Sequence, residues 1–196
     1  MPQEGSFTPR LNADSFDFGY EVETFPSWAC GASGTILTTA GSVFGSALIV
    51  RRKVTITNLV ANVTVAGGTL TAGDCWGLLY NSAGTLLGQS ADQATPWATA
   101  GLSTMALAAS STGALTLTPG LYWGGVVATG TTLPTFSRAA MGGASVALAA
   151  AQYNAQFSAS LARCAVLATS ITTTPANITP ASNTKATGIP YWFGLV

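Results

Sequence analysis

The sequence predicts an all-β fold, an antiparallel β-sandwich of jelly-roll-like character with an extended N-terminal arm and at most one short helix. Three observations carry this expectation. Short runs rich in Val, Ile, Thr and aromatic residues recur along the chain, the composition that suits a pleated, half-buried surface. Gly, Pro, Asn and Ser interrupt them at short spacing, as in sandwiches and barrels. Apolar residues make up 48% of the chain, yet no uninterrupted apolar stretch reaches the roughly 20 residues a spanning helix requires.

Residues 1–33 differ from the rest of the chain and are expected to form the arm, with the sandwich domain over residues 34–196. Within "SFDFGYEVETF" (15–25), Phe16, Phe18, Tyr20 and Val22 alternate with Asp17, Gly19, Glu21 and Glu23. Period two predicts an extended strand with one aromatic and one acidic face. The arm holds five carboxylates and Arg10, a net of −4; the body holds six cations and two carboxylates, a net of +4. The arm is therefore expected to dock through Phe16, Phe18, Tyr20 and Val22 on a β-surface. Its acidic residues Asp17, Glu21 and Glu23 would then meet Arg51, Arg52 and Lys53 of the same or another copy. Packing on its own body as an edge strand is the competing expectation.

"GSALIVRRKVTITNLVANVTVA" (45–66) reads as strand, with one slip. Val54 and Ile56 share a face, then Leu59, Ala61, Val63 and Val65 continue out of phase, which predicts a bulge or bend near Asn58. "GTLTAG" turns the chain into "DCWGLLY" (74–80). In "LYNSAGTLLGQS" (79–90), Asn81 and Gly84 predict a tight hairpin, because Asn bonds its own following backbone and Gly takes positive φ. "LSTMAL" (102–107), "ALTLT" (114–118) and "LYWGGVVATG" (121–130) come next as strands, and Pro119-Gly120 suits a type II turn. In 145–161, Val146, Ala150, Tyr153, Phe157 and Leu161 have the spacing of one helix, with Ser145 as N-cap. "RCAVLATSI" reads as a strand, 172–188 as a Pro- and Thr-rich loop, and "IPYWFGLV" as an apolar final strand.

Composition narrows the chemistry. Only 7% of residues are charged and the formal net charge is zero, which gives no general attraction to nucleic acid and little repulsion between copies. The N-terminus lacks the basic and apolar regions of a secretory signal, and no membrane insertion is expected. There is no His, which removes Ser-His-Asp and Cys-His catalysis. Cys30, Cys75 and Cys164 lack metal-site spacing and read as three buried thiols. No cofactor or metal is expected.

Three constellations remain. Asp74 and Asp92 lie at similar distances from the Asn81–Gly84 turn, and paired carboxylates serve glycosidases; backbone capping is the plainer reading. Arg51, Arg52 and Lys53 suit an anionic partner, or simply a solvated strand start. Trp97 and Trp123 are candidates for stacking on sugars, against packing in a core or interface. Tyr122 and Trp123, adjacent on a strand, must face opposite ways.

Several motifs recur together in order. A Tyr-Asn-Ser-x-Gly-x-Leu-Leu hairpin (80–87) precedes Trp97 and a Leu-x-x-Met-x-Leu strand (102–107). Beyond them come Leu-Thr-Pro-Gly-x-Tyr (117–122), Thr-Thr-x-Pro-Thr-Phe (131–136) and "NITPASNTKATGIPYWFGL" (177–195). Over residues 74–196 this resembles a β-domain of virion proteins in tailed bacteriophages, as found in phages of actinobacteria. The resemblance implies a non-enzymatic β-sandwich on the virion, assembled in the host cytoplasm as a homotrimer or higher symmetric set. It implies capsid or tail proteins as partners, with a host cell-surface glycan as a further one, and no catalytic residues. The chain lacks the collagen-like or coiled-coil shaft of long fibres, so minor tail protein and head decoration both stay open. A carbohydrate-binding module for a bacterial wall polymer is the alternative.

Overall fold

The computed structural model describes residues 19–37, 39–109, 114–139, 164–173, 177–179, 184–185 and 191–196. The helix expected over 145–161 falls outside them. Within them the chain is all-β. Its strands are β1 (Val22–Glu23), β2 (Cys30–Ile36), β3 (Val43–Val50), β4 (Val54–Ile56), β5 (Asn58–Val65) and β6 (Gly68–Leu70). They continue as β7 (Trp76–Asn81), β8 (Leu86–Gln89), β9 (Gly101–Ala106), β10 (Ala108–Ala109), β11 (Leu115–Leu117) and β12 (Gly120–Val127). The last are β13 (Gly130–Thr132), β14 (Thr135–Ala139), β15 (Cys164–Ala168), β16 (Thr184–Lys185) and β17 (Gly194–Leu195).

Two antiparallel sheets make the sandwich. The first runs β1-β17-β5-β14-β2, with β9 on the other side of β5; the second runs β10-β8-β7-β12-β3-β15-β16. Short pairs β11-β4 and β13-β6 extend the ends. Between the sheets lies a core of Leu59, Ala61, Val63, Met105, Phe136 and Phe193 from one side and Phe44, Leu48, Leu79, Tyr122 and Val126 from the other.

The second sheet is apolar on its outer face too. Val43, Ala47, Trp76, Leu78, Tyr80, Trp123 and Val127 form a separate buried cluster there. The chain after β15 reaches across this face: Ile171 N–H donates to Gly41 O (2.7 Å) and Ile178 N–H to Gly84 O (2.8 Å), and both isoleucines join the cluster. Burial on two faces explains why β7 and β12 read as continuous apolar runs where a one-sided strand would alternate.

The hairpin forms as expected. Gly84 sits at φ +89°, its N–H donates to Asn81 O (2.9 Å), and Asn81 Oδ1 accepts from Thr85 N–H (2.9 Å). The phase slip falls at Thr57, between β4 and β5. Pro119-Gly120 behaves differently from the type II expectation. Gly120 is absent from the glycines with positive φ and already opens β12 opposite Val50. The corner is held instead by Tyr122, whose hydroxyl donates to Thr118 O (3.0 Å) and accepts from Thr118 N–H (3.2 Å).

Candidate functional site

Of the expected arm, residues 22–23 and 30–33 belong to strands of the first sheet. The boundary placed at 33/34 falls inside β2, which pairs with β14. Ahead of it, Gly19 turns the chain at φ +80° and β1 adds to β17, Val22 opposite Leu195 and Glu23 opposite Gly194. Glu21 N–H donates to Leu195 O (2.8 Å) and Thr24 N–H to Phe193 O (3.0 Å), while Thr24 Oγ1 accepts from Phe193 N–H (3.0 Å).

The single aromatic face expected of the arm does not persist along the described part. Val22 is buried in the inter-sheet core, whereas Tyr20 packs edge-on against Trp192 at 5.2 Å and lies over Gly194, whose absent side chain makes room for its ring. Because strand geometry begins only at Val22, the turn at Gly19 lets Tyr20 cross to the outer side, beside Glu23. Phe16, Asp17 and Phe18 lie outside the described residues.

The acidic residues have separate tasks. Glu21 Oε2 meets Arg52 Nη2 at 2.8 Å, with side chains 33% and 60% exposed, so solvent screening holds the pair below about 1 kcal/mol. Arg51 and Lys53 flank Arg52 in the exposed link between β3 and β4. Glu23, on the outer face and half-buried, holds two donors: Oε1 accepts from Trp192 Nε1 (3.0 Å) and from Ser27 N–H (2.9 Å). Burial, then the Glu23 charge, raises the Tyr20 hydroxyl and pushes the Cys30 thiol up to about 11. Such a thiol stays protonated at neutral pH and makes a poor nucleophile. Cys30, Cys75 and Cys164 form no disulfide; Cys75 and Cys164 are buried and Cys30 is half-buried, a correction to the expectation of three buried thiols.

Asp74 and Asp92 both lie close enough to Cys75 to help burial push its thiol up to about 11. Asp92 Oδ1 accepts from Cys75 N–H (3.2 Å), a backbone-capping contact. Among the described residues no group of three His, Cys, Asp or Glu could hold a metal.

The sugar-stacking role considered for Trp97 and Trp123 is overturned by burial, since both are 0% exposed and neither ring face can meet a ligand. Trp97 packs edge-on to Phe136 at 5.1 Å and donates from Nε1 to Ser103 Oγ (3.2 Å), which bonds Gln93 Oε1 (3.4 Å). Trp123 points outward from the second sheet into the second cluster. Tyr122 points the other way, into the inter-sheet core, as adjacency on a strand requires. Sequence reasoning missed the Glu23–Trp192 contact, because 169 positions separate the two residues and no local pattern marks them.

Comparison with protein families, with curated proteins and with solved structures found no match.

Proposed function

We propose that the chain is a non-enzymatic structural protein of a tailed-bacteriophage virion, mounted in many copies as a homotrimer or larger symmetric set. The motifs over residues 74–196 suggest this class of particle, in a minor tail protein or a head decoration, exposed on the surface with capsid or tail proteins as neighbours. The observation that carries the reading is how the charged groups are used. Glu21 and Arg52 pair with each other, Asp92 holds a backbone N–H, and Glu23 holds an indole and a backbone N–H. Groups engaged in stitching strands together suit a protein that acts through whole surfaces, where many weak contacts add up. The carbohydrate-binding alternative gains nothing from Trp97 and Trp123, both enclosed. Antibody raised against the purified chain tests the proposal: gold-labelled antibody decorates intact particles at regular positions if it holds. Particles that neither bind the antibody nor contain the chain by mass spectrometry overturn it.

A further inference from the structure

We propose that the free edge of β9 is a pairing site for the β9 of a second copy of this chain, antiparallel about a two-fold axis. Among the described residues β9 pairs with β5 alone, continuously from Asn58–Ala106 to Val63–Gly101. Leu107 N–H donates to Thr57 O (2.9 Å), while Thr57 N–H turns to Val196 O (2.7 Å); the Thr57 carbonyl thus faces β9, and alternation from it makes Leu59–Met105 and Ala61–Ser103 the hydrogen-bonded pairs. On the other side of β5, Asn58 and Val196 exchange N–H···O bonds of 2.9 and 3.1 Å, which gives the same parity. The N–H and C=O groups of Leu102, Thr104 and Ala106 therefore point away from β5, along the edge. All three side chains are exposed, Leu102 by 61%.

Edges of this kind are normally blunted by charge, proline or a bulge. None is present: the register with β5 is unbroken, β9 contains no proline, and no charged residue stands between Asp92 and Arg138. A second copy is the occupant that this chemistry suits. A charged peptide meets no opposite charge on β9, whereas two copies with zero net charge approach without repulsion. The strand is also compatible with itself. Antiparallel pairing centred on Thr104 sets Thr104 against Thr104 of the second copy and Leu102 against its Ala106, with every edge-facing N–H opposite a C=O.

One pair of six-residue strands is small beside a stable interface of about 1,000 Å² or more, so the contact is weak and concentration-dependent. It joins single chains or trimers two by two. It does not rest on the virion reading, and either can fail alone.

Sedimentation of the full chain over a range of concentrations tests the pairing. The wild type shows an even-numbered assembly. Thr104→Lys, on an exposed side chain whose N–H does not touch the β5 ladder, raises its dissociation constant about tenfold or more while circular dichroism stays unchanged. In Thr104→Cys, opposed Cα atoms about 5.5 Å apart let a short bis-maleimide link position 104 to position 104, identified by peptide mass. A wild type that stays monomeric or strictly trimeric overturns the proposal. So does a Thr104→Lys variant that associates normally, or a Thr104→Cys variant that yields no such link.

Discussion

Trp97 and Trp123 are equally buried, but their indole N–H groups differ. Trp97 Nε1 has Ser103 as acceptor; Trp123 Nε1 is buried with no partner among the described residues. A buried donor without an acceptor costs about 1–3 kcal/mol, so the Trp123 site holds an intrinsic penalty that the Trp97 site lacks. Trp→Phe removes similar volume at both positions. Trp97→Phe is therefore expected to cost about 1 kcal/mol more than Trp123→Phe, since it also discards a satisfied bond. Guanidinium unfolding of the two variants checks the order, and the reverse order would contradict the hydrogen-bond assignment. At this scale the sequence was informative about size and face: it placed Tyr122 and Trp123 on opposite sides. It was silent on which polar atoms find partners, because Ser103 and Gln93 reach Trp97 only through the turn geometry around Pro96.

Among elements, β1 shows how two residues of strand can matter. Val22 enters the core, and burying a side chain of that size contributes about 1.5–3 kcal/mol. Glu23 satisfies the indole of Trp192, a group otherwise left wanting at about 1–3 kcal/mol. Deleting residues 1–29 should lower the melting temperature by about 10 °C or cause aggregation, the combined loss at a few °C per kcal/mol. Calorimetry of the truncated and full chains decides the matter, and a 1–29 deletion that melts like the full chain would show that β1 does not stabilise the body. The hairpin at Asn81–Gly84 and the slip near Asn58 were legible because each depends on residues next to one another. The face of Tyr20 was not, since it depends on where strand pairing begins.

For the whole molecule, the high apolar content is absorbed by two buried layers: the inter-sheet core, and the outer face of the second sheet under the chain that crosses it. Burial also governs the response to alkali. The Cys30 and Cys75 thiols are pushed up from 9.0 to about 11 in the folded chain, with desolvation the first cause, and Tyr80 and Tyr191 are raised as well. These groups stay protonated when folded, while an unfolded thiol releases its proton near 9. The thiols' contribution is thus full below about pH 9 and is lost as pH rises towards about 11. Unfolding midpoints should fall across that window, and a Cys75→Ala variant should fall less steeply. Equal slopes for the two proteins would contradict the burial of this thiol as the cause.

By itself the sequence determined the β-class, the strand runs, the tight hairpin and the shortage of reactive groups, because these come from local conformational preference and from composition. Only the tertiary structure decided that both faces of one sheet are buried, that the N-terminal strand belongs to its own body, and that β9 has, among the described residues, an open edge. Those outcomes come from contacts between segments far apart in the chain, and no window of neighbouring residues records which distant strand will lie beside it.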